Sequence, residues 1–144
     1  MRDYARVSAV RKRSGAIPTE RNLVSIVCEL RRLNRTITVR HERDLKRAGC
    51  PPLESCEVLR EIAESGDARL KPADLQTRLA VPQHRMSQLI NGLAKEGYVE
   101  RERAGSGARG HVIVITDSGR RISKHASSVL LAAVREFFYR KRRT

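Results

Sequence analysis

Residues Leu70 to Gly119 read as a helix, a sharp turn, a second helix, a basic hairpin and the start of a further helix. Few folds accept that order. The second helix carries Met86, Leu89, Ile90 and Leu93 at i, i+3, i+4 and i+7, which puts four apolar side chains on one face. The opposite face carries His84, Ser87, Gln88, Asn91 and Lys95, with Arg85 and Gly92 on its flank and Gln83 at its start. None of these is acidic. A helix that packs by one face and offers cationic and amide groups on the other has the shape and chemistry to enter a DNA major groove.

Charge points the same way. The chain has 30 Lys and Arg against 16 Asp and Glu, a formal net charge of +14. A field of that sign concentrates polyanions, with double-stranded nucleic acid as the first candidate partner. The basic residues are spread along the chain rather than gathered beside one apolar face, which disfavours a membrane surface. No apolar run approaches the length of a membrane span, and Met1 to Gly15 holds Arg and Lys without a signal-peptide core. A chain of 144 residues is expected to form one domain with a real core. With no Trp, three Tyr and two Phe, it has little means of stacking on single strands. Cys28, Cys50 and Cys56 are an odd count without a C-x-x-C pair, so a reducing cytoplasm is expected and the three read as small core or surface residues rather than redox sensors. Neither a zinc site nor another cofactor is expected from these cysteines and four scattered histidines. No nucleophile–base pair or phosphate loop points to an enzyme.

The expected elements follow from periodicity and punctuation. Residues 1–17 form a basic arm. Thr19 caps a long helix through Leu23, Ile26, Val27, Leu30, Leu33, Ile37 and Leu45, with a bend allowed at the β-branched run Thr36 to Val39. Gly49-Cys50-Pro51-Pro52 breaks the chain, and the next helix carries Val58, Leu59, Ile62 and Ala63 as far as Ser65-Gly66. Arg69 to Lys71 makes a short strand, Pro72 to Leu79 a helix with Leu75 and Leu79 inward, and Ala80-Val81-Pro82 the turn, with Pro82 as the first residue of the following helix. Gly97 ends that helix. Tyr98 to Arg103 and His111 to Ile115 are strands around a glycine-rich tip, Gly105 to Gly110. Thr116 caps the last helix, whose apolar rows are Ile122, Ala126, Val129, Ala133, Phe137 and Leu130, Val134, Phe138. Met86 reads as core, and His41 and His125 as helix-surface residues. The fold class is mainly α with a small β wing: a winged helix-turn-helix between N- and C-terminal helices.

Order and spacing also resemble one family, the MarR-type bacterial transcriptional regulators. Val58-Leu59-Arg60-Glu61-Ile62 resembles its second helix, and Asp74-Leu75 with Leu79 the first helix of its helix-turn-helix. Leu89-Ile90-Asn91-Gly92-Leu93-Ala94-Lys95-Glu96-Gly97-Tyr98-Val99-Glu100-Arg101 resembles its recognition helix running into the wing. Arg109 followed by Val112, Val114, Ile115-Thr116 and Gly119 resembles the wing arginine, the return strand and the next helix start. The likeness spans roughly residues 50 to 122, and the order of its motifs is more specific than any one of them.

The resemblance implies a homodimer on a pseudo-palindromic operator, with repression relieved by a small ligand or by oxidation. It divides a single 1–144 domain into the arm at 1–17, dimerisation helices at 18–50 and 117–144, and the winged helix-turn-helix at 51–116. Expected DNA contacts are Gln83, His84, Arg85, Ser87, Gln88, Asn91, Lys95, Arg101, Arg103 and Arg109, the last at the wing tip beside the minor groove. Expected dimer contacts are Leu23, Ile26, Leu30, Leu33, Val129, Leu130, Val134 and Phe137. In two places the chain departs from the family pattern. Gly107 stands where the wing often has Asp, and only 28 residues follow Thr116, which suits one long terminal helix rather than two. A regulator of this kind works in the cytoplasm on the nucleoid. The alternatives are a nonspecific architectural DNA binder and a winged helix that contacts protein.

Overall fold

The computed structural model describes residues 19–105 and 110–140, apart from the side chain of Phe138. Helix α1 spans Glu20–Arg47 without interruption, so the β-branched run at Thr36 is absorbed within it. The Thr19 side chain accepts from the Asn22 N–H at 3.4 Å and caps its start. Its end is a Schellman turn: Gly49 sits at φ +74°, its N–H reaches Lys46 O at 3.2 Å, and the Cys50 N–H reaches Leu45 O at 2.9 Å. Leu45 is the buried residue of α1; most of the helix stays uncovered by its own chain.

Helix α2 (Leu53–Glu64) begins after the Pro51-Pro52 break. Its first N–H, on Leu53, donates to Glu42 Oε1 of α1 at 2.9 Å, so one helix caps the next. Strand β1 (Arg69–Leu70) leads into α3 (Pro72–Leu79). The turn after α3 places Ala80 in the left-handed region at φ 52°, which costs roughly 1 kcal/mol without glycine. Helix α4 (Gln83–Lys95) follows. Pro82 is its N-cap rather than its first residue: ψ 152° takes it out of the helix, while its carbonyl already accepts from the Met86 N–H at 2.9 Å.

A second Schellman turn at Gly97, φ +78°, aims the chain into β2 (Val99–Arg103). β2 pairs antiparallel with β3 (His111–Ile115), Val99 opposite Ile115 and Arg103 opposite His111, and β1 pairs on the other edge of β3. Helix α5 (Asp117–Tyr139) is one continuous helix. The Thr116 hydroxyl ties its start to the wing, accepting from the Gly119 N–H at 3.0 Å and donating to Gly97 O at 2.7 Å. A Cβ added at Gly119 would lie 2.1 Å from Tyr98 O, so only glycine fits between helix and wing.

The main core lies inside the winged helix, where Val58, Leu59, Ile62, Leu75, Met86 and Ile113 are fully buried. Each such side chain contributes roughly 1.5–3 kcal/mol by leaving water. A smaller cluster of Leu45, Cys56 and Ala126, with Val129 and Leu130 packed against it, joins α1, α2 and α5. Arg40 adds a polar clasp, donating to Asp44 at 2.8 Å within α1 and to Glu136 on α5. Its guanidinium holds both carboxyls below the usual carboxylate range, chiefly by these hydrogen bonds.

Candidate nucleic-acid interface

Helix α4 turns Met86, Leu89, Ile90 and Leu93 into the core, as their spacing requires. That leaves Gln83, His84, Arg85, Ser87, Gln88, Asn91 and Lys95 exposed on its outer side. Three of these outer groups, His84, Arg85 and Gln88, are joined to one another. Gln88 Nε2 lies 3.2 Å from His84 Nε2, and Arg85 Nη1 donates to Gln88 Oε1 at 3.3 Å. The two-residue period of β2 sends Arg101 and Arg103 to one side and Glu100 and Glu102 to the other. Arg101 donates to Asn91 Oδ1, tying the wing to α4. Glu102 pairs instead with Arg69 at 3.4 Å, across the sheet. Arg109 and Gly107 lie outside the described residues, as do the 1–17 arm and residues 141–144.

Two features of this surface are not apparent from the sequence. A groove of about 600 Å³ runs between the start of α3, the middle of α4 and the base of the wing. It adds Lys71 and His111 to Ser87 and Arg101 as polar lining. These four come from α4, the two wing strands and the residue before α3, a convergence with no local signature. The second feature is Glu54, in the first turn of α2. Its carboxylate accepts from Arg85 Nε at 3.1 Å and from Nη2 at 3.3 Å. The surface around α4 is therefore not free of acid, although α4 itself is.

The expected dimer residues fall in two groups. Leu23 and Leu30 are about half exposed, while Ile26, Leu33, Val134 and Phe137 are half-buried. Val129 and Leu130 spend part of their surface on the chain's own smaller cluster. Val24, Val27, Val39 and Leu131, which the expected contacts omitted, are also exposed. Of the cysteines, Cys28 is exposed, Cys50 half-buried and Cys56 buried. Burial pushes the Cys56 thiol up to about 12, which keeps it protonated and unreactive at neutral pH. Among the described residues no group of three or more His, Cys, Asp or Glu is placed to hold a metal ion, and no helix is long and apolar enough to cross a membrane.

A two-helix reader seated on a small core and flanked by an antiparallel wing defines a winged helix-turn-helix, the fold class expected from the sequence. Residues 51–110, which hold most of the winged helix, match the model of the MarR family. No curated protein matches the sequence. Among solved structures, the chain is similar to AbsC, a MarR family transcriptional regulator from Streptomyces coelicolor. The two share 27% identity over 86% of this chain and 82% of that one, with a TM-score of 0.73. It is also similar to Sco3205, a MarR family transcriptional regulator from the same organism solved in complex with DNA, at 23% identity, 92% and 82% coverage and a TM-score of 0.74. BldR, a transcriptional regulator from Sulfolobus solfataricus, superposes with a TM-score of 0.78 over 85% of this chain and 86% of that one, at 19% identity.

Proposed function

We propose that this protein is a sequence-specific DNA-binding transcriptional regulator that represses from a pseudo-palindromic operator as a homodimer. The observation that carries the reading is the outer side of α4: an exposed, acid-free row of amide, hydroxyl and cationic groups, joined to the wing through Arg101 and Asn91. Lys and Arg displace counterions from phosphate and supply affinity, while α4 reads base edges. The DNA complex of Sco3205 supports the use of this fold on DNA. Two copies related by a two-fold axis would set their α4 helices about 34 Å apart, one turn of the double helix. The apolar residues that α1 and α5 leave exposed are the surface such a dimer would bury. A cavity of about 380 Å³ where the α1–α2 joint meets the end of α4, lined by Cys50, Pro51, Ser55, Leu93 and Tyr98, is where a small effector would bind and release the DNA. The protein would act in the cytoplasm, on the nucleoid.

Gel-shift titration on the DNA upstream of its own gene, repeated on a random duplex at several salt concentrations, tests this. The expected result is tight binding to the upstream fragment, a steep loss of affinity with salt, and a clear preference over the random duplex. A steep salt dependence without preference would reject sequence reading in favour of an architectural role. A flat dependence would reject nucleic acid as the partner.

A further inference from the structure

We propose that Glu54 is a specificity-determining positioning residue: it holds the Arg85 guanidinium in the orientation that reads a guanine edge. The inference rests on α4 being the DNA-reading helix. Arg85 is the only arginine of α4. A free arginine side chain on a helix surface samples many rotamers and must lose them on binding. Here the side edge of the fork, Nε and Nη2, lies on the two oxygens of Glu54, and Nη1 lies on Gln88 Oε1. A guanidinium has five N–H donors. With three engaged, one remains on each terminal nitrogen; with Gln88 on the Cδ side of Nη1, these two are the parallel end pair that guanine O6 and N7 accept.

The post is as fixed as the arginine it holds. Glu54 stands in the first turn of α2, where the helix dipole favours a carboxylate. The start of α2 is pinned to α1 through the bond from Leu53 to Glu42. Val58 and Leu59 of α2 are fully buried in the same core as Met86 and Ile90 of α4, so the two helices hold one register. Both partners of the pair are about half exposed, and an exposed pair adds little to stability. Its effect lies instead in orientation, and the carboxylate brings negative charge towards the DNA. Glu54 therefore lowers general affinity while it raises discrimination, and these opposite signs separate a positioning role from a merely structural one.

The test uses the full chain and a randomised double-stranded oligonucleotide pool, with wild type, Arg85→Ala, Glu54→Gln, Glu54→Ala and the double variant Glu54→Ala/Arg85→Ala. Wild type is expected to enrich guanine at one position per half-site by roughly 5–150-fold, the worth of one bidentate contact. Arg85→Ala and both Glu54 variants should flatten that same position, leaving the other positions selected. The Glu54 variants should also bind a random duplex more tightly than wild type, and once Arg85 is gone Glu54→Ala should change nothing further in base preference, its effect on general affinity remaining. Glu54→Gln keeps the side-chain shape, so a folding defect in Glu54→Ala alone does not decide the result. If the Glu54 variants keep the guanine preference, or if Arg85→Ala flattens no position, the positioning role is overturned while the regulator reading stands. If wild type enriches no sequence at all, the regulator reading fails and the role of Glu54 with it.

Discussion

Single side chains on α4 divide cleanly between holding the helix and using it. Met86 is fully buried between α4 and the rest of the winged helix, although its neighbours Arg85 and Ser87 are exposed. Met86→Ala should therefore cost about 2–5 kcal/mol, the transfer and cavity terms together. Urea denaturation would show it as a shifted midpoint with an unchanged slope. A loss below about 1 kcal/mol would mean that the site collapses or that α4 is not seated there. This inward face was legible because the 3.6-residue period is local and strong. The Glu54–Arg85 pair was not, because the partners lie far apart in sequence and the packing of α2 on α4 brings them together. Nothing near Arg85 in the chain signals an acidic neighbour. The groove residues Lys71 and His111 escaped notice for the same reason.

Elements meet through capping and charge as much as through apolar packing. The clasp of Arg40 on Asp44 and Glu136 joins α1 to α5, and both carboxyls titrate below their usual range. A carboxyl whose folded value is depressed stabilises the fold fully above its unfolded value, about pH 4, and loses that contribution as pH falls through the folded value. Acidification below about pH 4 should thus loosen α5 from α1. Thermal melts across pH 3 to 6 should show stability falling at the acid end, with a shallower fall in Arg40→Ala; identical slopes would rule the clasp out as the cause. Most element boundaries could be read from caps and glycines. Thr19, Gly49, Gly97 and Thr116 all act where their chemistry suggests. Pro82 lay one place from expectation because proline's fixed φ suits both N-cap and first position, and ψ decides between them. The bend allowed at Thr36 is not needed, because a long helix carries a few β-branched residues at a small propensity cost.

At the scale of the whole molecule, α1 is long, amphipathic and largely uncovered by its own chain. Wild type should sediment as a dimer at micromolar concentration. Leu30→Glu, at a half-exposed position, should give a folded monomer with an unchanged helix signal and a large loss of operator affinity. A stable wild-type monomer would remove the two-site operator from the account. The joint at Gly119 bears on how such a dimer would measure its target. With the start of α5 seated against Tyr98 O and no room for a side chain between them, α5 and the wing turn as a block. In the proposed dimer each α4 would ride on that block, and the angular phase between two half-sites would be built into the protein. One extra base pair between half-sites turns the second by roughly 34–36° about the DNA axis. In the proposed dimer, a joint this tight would resist following that turn, and the operator would be held to a single spacing.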